Sequence, residues 1–183
     1  MRIVTLIENT TTREDLTCEH GLSLYIETAK HRILFDMGPD EQFLSNAEKL
    51  GVDLREVDIA ILSHGHYDHV GAVKEFQDLT DAKIYVSTLD GTLANDRRNM
   101  AIEMGCVMDC FTPDVLLEDG DHITIGDMDI AVIATPGHTS GGVCFVLEDQ
   151  IFSGDTLFQS SYGRTDLPTG NYNELKKSIH KLF

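Results

Sequence analysis

Basic residues are scarce in this sequence: 14 lysines and arginines stand against 31 aspartates and glutamates in 183 residues, a formal net charge of −17 with histidine neutral. A surface of that sign repels phosphate, which excludes nucleic acid as a default partner and argues equally against anionic membranes. Long apolar runs are missing too. None approaches the roughly 20 residues that a membrane-spanning helix needs. The opening stretch Met1–Ile7 is too short for a secretion signal, meets Glu8 at once and reads as a first strand. Cysteine is confined to Cys18, Cys106, Cys110 and Cys144, at spacings that make neither a zinc ribbon nor a redox pair. Buried free thiols in a reducing cytoplasm are the expectation. No Gly-x-Ser-x-Gly elbow is present to carry a serine nucleophile, and there is no short-period repeat, low-complexity tract or linker. What is present is ordinary globular material, 42% hydrophobic and 25% charged, enough for one domain over residues 1–183 with a sizeable core.

Strands are expected at 2–8, then at 22–28 and 32–36 as a hairpin, and at 58–62 and 83–87. Further strands are expected at 115–118, 122–125 and 128–134, with a second hairpin at 142–147 and 150–153. Helices are expected from Asp40, as cap, to about Leu50, over 70–79, and over 171–183. Gly51 ends the first of these. Residues 89–105 are ambiguous. Strands, helices, strands and helices in that order make an α/β fold of two packed sheets with helices outside, an αββα sandwich.

Chemistry concentrates in Ser63-His-Gly-His-Tyr-Asp-His69, which follows the apolar run 58–62. Four ligand-type side chains, His64, His66, Asp68 and His69, lie within six residues. Imidazoles this close repel when protonated, and their ring nitrogens are costly to bury when neutral and unpaired. A divalent cation resolves both, because neutral imidazole and carboxylate are good zinc ligands. His64 and His66 point the same way on extended backbone. Asp68 and His69 follow a turn and can face a second point, so the spacing suits two adjacent metals. Two later strand ends each add one ligand type: His138 in Thr135-Pro-Gly-His-Thr139 and Asp155 in Gly154-Asp-Thr156. The other histidines read as bystanders, with His20 and His31 solvated, His122 packed in its strand and His180 on the last helix.

With His64-x-His66-x-Asp68-His69, then Pro136-Gly-His138, then Gly154-Asp155-Thr156, the chain resembles the metallo-β-lactamase-fold hydrolase superfamily over nearly its whole length. The resemblance implies one metal held by His64, His66 and His138. It implies a second held by Asp68 and His69, with Asp155 bridging and Asp36 supporting the loop. Residues 1 to about 76 look like the branch related to dihydropterin phosphate synthases. From about Asp81 onward, including Gly163-Arg-Thr-Asp-Leu-Pro168, they look like hydroxyacylglutathione hydrolases. The expectation is a chain that joins two lineages, a chimera, near 77–82. Family members continue past the last helix to a further strand and a further His ligand. A sequence stopping at Phe183 is therefore expected to lack the last strand and helix elements and one ligand of the second site, which His180 fills only if its helix points inward.

The expected function is a zinc-dependent hydrolase with two Zn²⁺. Hydroxide, available at neutral pH because zinc lowers the pKa of bound water to about 7, attacks an ester, thioester or lactone carbonyl of a small-molecule substrate. Asp68 has a catalytic role in orienting the nucleophile. Arg164 and Asp166 read as a structural ion pair, and a homodimer is possible. One alternative keeps His64, His138 and Asp155 around a single Fe²⁺, as the similarity to persulfide dioxygenases implies. The other is a non-catalytic metal-binding or composite scaffold.

Overall fold

The computed structural model describes residues 1–183 throughout. The first sheet has six strands in sequence order: β1 (Arg2–Ile7), β2 (Ser23–Glu27), β3 (Arg32–Phe35), β4 (Ile59–Ile61), β5 (Lys83–Ser87) and β6 (Val115–Leu117). The first three run antiparallel as a meander, and β3 to β6 run parallel. Four antiparallel strands, β7 (His122–Ile125), β8 (Met128–Ala134), β9 (Val143–Leu147) and β10 (Gln150–Phe152), make the second sheet in the order β10-β9-β8-β7. A small ribbon of β11 (Leu157–Phe158) and β12 (Ser161–Tyr162) follows. The residues expected in one run of strands after 115 are therefore divided, because β6 joins the first sheet beside β5.

Period-2 alternation decides the layers. On β3 and β4, Ile33, Phe35, Ile59 and Ile61 turn toward Ile123, Ile130, Val132, Phe145 and Phe152 of the second sheet, and this is the core between the sheets. Leu34, Ala60 and Leu62 turn the other way. They pack with Phe43 and Ala47 of α1 (Gln42–Leu50) and with Val73 and Phe76 of α3 (Val73–Leu79). Gly51, in the left-handed conformation at φ 71°, ends α1 as expected. Asp40 accepts from the Gln42 amide at 2.8 Å, so it holds the first turn although Glu41 is the formal cap.

The helix expected over 70–79 is two pieces, α2 (Tyr67–Val70) and α3. The break has a tertiary cause. The Gly71 amide donates to Gly38 O at 2.9 Å, pulling that turn onto the 37–39 loop. The ambiguous stretch forms α4 (Thr88–Leu93) and then turns. The last helix, α5 (Tyr172–Lys181), is capped by Asn171, whose side chain accepts from the Asn173 and Glu174 amides. Residues 77–82, the expected junction, span the end of α3 and the loop into β5. No helix is long and apolar enough to cross a membrane. The thiols are less buried than expected: Cys18 and Cys110 are exposed, Cys106 is half-buried and only Cys144, on β9, is enclosed.

Candidate metal centre

Every strand that ends near the cleft delivers a polar group to it. Parallel pairing of Phe35 with Ile61 sets Asp36 beside Ser63. The Val143 amide donates to Ser63 O at 2.9 Å, stitching the second sheet to the first at that point. Asp36 is fully buried and carries φ 54°, a left-handed conformation that aspartate tolerates better than most residues. Its carboxylate accepts from the Ser63 amide (2.8 Å), the Ser63 hydroxyl (2.6 Å) and His69 Nδ1 (2.7 Å). The Ser63 hydroxyl is thereby committed, so His64 Nδ1 donates to Ser63 Oγ at 3.0 Å. His64 Nε2 keeps its lone pair, buried and with no hydrogen-bond partner.

A similar device orients His138. Its Nδ1 donates to the Arg164 carbonyl at 2.8 Å, which turns Nε2 inward, 2.9 Å from His66 Nδ1. His69, with Nδ1 tied to Asp36, points Nε2 at Asp155 Oδ1 (3.3 Å) and, farther off, at Asp68 Oδ2 (3.8 Å). Asp155 Oδ2 lies 3.6 Å from His138 Nε2, so this carboxylate stands between the two groups of imidazoles. Two sets of donors, His64 with His66 and His138, and His64 with His69 and Asp155, are each compact enough to hold a cation. All six expected residues meet at one cleft. Asp68 sits slightly outside the second set, and His180 is exposed on α5, away from the site.

Protonation follows from this enclosure. Burial, then the neighbouring imidazoles, drives His64 well below the ordinary histidine value. Burial and His138 bring His66 to about 3, so both rings are neutral and ready to act as ligands. His69 goes the other way. Burial opposes its charge, but Asp155, Asp36 and Asp68 outweigh that and raise it well above the usual value. Burial likewise pushes the Asp155 carboxyl up, and His69 and His138 more than reverse this, to about 2. Three carboxylates facing one imidazole on the rim of a nest of neutral rings form a cavity in want of positive charge. With the partnerless His64 Nε2, the donor set fits a divalent cation.

Three residues outside the expected set support these groups. Asp90 on α4, fully buried, accepts from the Gly65 amide (2.9 Å), the Gly141 amide (2.9 Å) and the Thr139 hydroxyl (2.6 Å). It ties the His64–His66 loop to the His138 loop. An aspartate three residues after a strand carries no signal of this in the sequence. His20, expected to be a solvated bystander, places Nε2 3.2 Å from Asp68 Oδ2 while Nδ1 meets Asn9 Oδ1 at 2.8 Å. Its ring is exposed on one side and forms the rim of the cleft. The third is Gly21 (φ 138°), where a Cβ would lie 2.2 Å from Asp68 O, so glycine alone lets the His20 loop approach α2 this closely. His122, by contrast, does not pack in its strand but pairs at the surface with Asp129 at 2.7 Å. Arg164 and Asp166 form the expected ion pair, two-pronged and exposed.

Such a centre, at one end of two sheets packed between helices, defines a metal-dependent hydrolase fold. The family model of the metallo-beta-lactamase superfamily matches residues 16–183, and the chain belongs to that superfamily. It is 30% identical over 167 residues to the hydroxyacylglutathione hydrolase GloC of Haemophilus influenzae, covering 88% of this chain and 77% of that one. Among solved structures it is similar to the B3 metallo-beta-lactamase BLEG-1 (TM-score 0.81, 28% identity, 98% of this chain and 84% of that one). It is also similar to TTHA1623 in a di-iron-bound form (TM-score 0.75, 30% identity, 89% and 81%).

Proposed function

We propose that the protein is a dinuclear zinc hydrolase of ester, thioester or lactone carbonyls. His64, His66 and His138 would hold one ion. His69, Asp155 and Asp68 would hold the other, and Asp155 reaches toward both. The observation that carries the reading is a pair of overlapping donor sets in one cleft, His64 with His66 and His138 and His64 with His69 and Asp155, with Asp68 Oδ2 3.8 Å from His69 Nε2 beside the second. A single iron on His64, His138 and Asp155 would leave His66, a buried neutral ring whose Nε2 has no hydrogen-bond partner, without a task, which disfavours the oxygen-dependent alternative.

When bound, such ions lower the pKa of water to about 7 and polarise a carbonyl oxygen. The chain supplies the rest. Asp36, directly on His69 and through Ser63 on His64, engages the Nδ1 of two imidazoles and turns their Nε2 inward, where a cation would take the lone pair. The Arg164 carbonyl does the same for His138. Asp68, 3.2 Å from His20 Nε2 at the rim, would orient the attacking water and accept its proton. Tyr67, whose hydroxyl burial and Asp68 push up to about 12, stays protonated and lines the same wall.

Elemental analysis of the purified protein should find close to two zinc ions per chain. A panel of carbonyl substrates should be cleaved equally under air and under nitrogen. Alanine at His66 or His138 should abolish both metal retention and turnover. Full activity in either variant, or a requirement for oxygen, would overturn the proposal.

A further inference from the structure

The cleft above the donor sets has a volume of about 740 Å³. Beyond the candidate ligands its walls are largely apolar: Met100 and Met104 from the turns after α4, Phe158 and Tyr162 from the β11–β12 ribbon, and Leu167. Met104, Phe158 and Tyr162 are 57%, 44% and 49% exposed, large side chains from separate elements left open to water around one opening. A surface of this kind gains by covering an apolar ligand.

The charges of the same walls point the same way. Arg164 is the one lysine or arginine among the lining residues, and its guanidinium already forks onto Asp166 at 2.8 and 2.7 Å. Glu8 stands at the opening with no cation beside it, its one side-chain partner being the Thr10 hydroxyl. A substrate carrying carboxylates or phosphates away from its reacting carbonyl would find no free cation there. It would also approach a molecule of net charge −17.

Resting on the hydrolase reading, we infer that the substrate is an uncharged ester, thioester or lactone with an apolar arm, and that acyl groups borne on anionic thiols such as glutathione are discriminated against. In the reaction water adds to the carbonyl carbon, the acyl–oxygen or acyl–sulfur bond breaks, and the departing atom takes the proton. No oxidant or reductant is needed.

A matched pair tests this on the zinc-loaded protein: one medium-chain acyl group carried on N-acetylcysteamine, which is uncharged, and on glutathione, which is anionic. The uncharged thioester should have the larger kcat/KM by about ten-fold at low salt, and the gap should narrow as salt screens the repulsion. Calorimetry with the two non-cleavable thioether analogues should show the same order of affinity. Met104→Asp should weaken binding of the uncharged analogue while leaving metal content intact. Asp166→Asn, which frees Arg164, should improve the glutathione compound selectively. Equal or reversed preference, or a Met104→Asp variant that binds as well as the parent, overturns the inference. Metal-loaded protein that binds the uncharged analogue yet cleaves neither thioester, nor any other carbonyl compound, would instead sink the hydrolase reading and leave the selectivity standing.

Discussion

Asp36 holds more of the site than any candidate ligand does, since one buried carboxylate fixes the Ser63 loop and the rings of His64 and His69 together. Its removal strands three buried donors, so Asp36→Ala should cost about 3–5 kcal/mol and weaken ion binding about 10–100-fold. Urea unfolding and titration in metal buffers measure the two effects. Asp36→Asn, which tolerates the same left-handed backbone, should retain more stability than the alanine variant. An alanine variant with unchanged ion affinity would show that the imidazoles orient themselves. His20 calls for the opposite profile. Its ring is largely exposed, so His20→Ala should alter stability by no more than about 0.5 kcal/mol. It should nonetheless loosen the second ion and spare the first, as read by stepwise metal titration. The candidate ligands, which the fold gathers into one place, stood out in the sequence because four of them are crowded into six residues and the other two follow strand ends. Asp90 and His20 did not, because their partners lie 25 to 51 residues away for the one and 48 for the other, and nothing local marks such a contact.

Elements carry the next level of control. Helix α5 is not a terminal ornament but a clamp on the His138 turn. The Asn171 amide donates to Gly137 O at 2.8 Å, and the Ser178 hydroxyl donates to Pro136 O at 2.7 Å. Gly137, at φ 140°, would with any Cβ lie 2.2 Å from the Leu175 amide, so the turn and the helix are in backbone contact. Leu175→Ala should therefore cost about 2–5 kcal/mol and lower the affinity of the first ion, although residue 175 touches none. Thermal melts with and without added zinc separate the two losses; a stability loss with unchanged affinity would argue against the clamp. The pattern of apolar residues was sufficient to locate α5, α1 and the ten strands of the two sheets, but gave no sign of the β11–β12 ribbon. It misread residues 71–72 as helix because the force that breaks them, a hydrogen bond to the 37–39 loop, comes from another part of the fold.

At the scale of the whole molecule, the site is a load of charge and unpaired nitrogen that the fold carries only with help. Three carboxylates crowd His69 inside a chain of net charge −17, and His64 Nε2 has no partner within the protein. Cations that bind only the folded form add stability by mass action, about 4 kcal/mol at a thousand times the dissociation constant. Chelation should accordingly lower the Tm by about 8–16 °C for a chain of this size, and zinc should restore it. A melting temperature indifferent to chelator would mean that no ion is held.

The candidate donors gather at strand ends and on the short helix α2, on one side of the two sheets. At the other side the β2–β3 turn brings Lys30 against Asp127 of the β7–β8 turn, both well exposed. A support or fusion partner attached through that turn would hold the protein by its base with the cleft facing outward. The fold thus offers a ready orientation for immobilisation, in which linking chemistry and substrate never compete for the same surface.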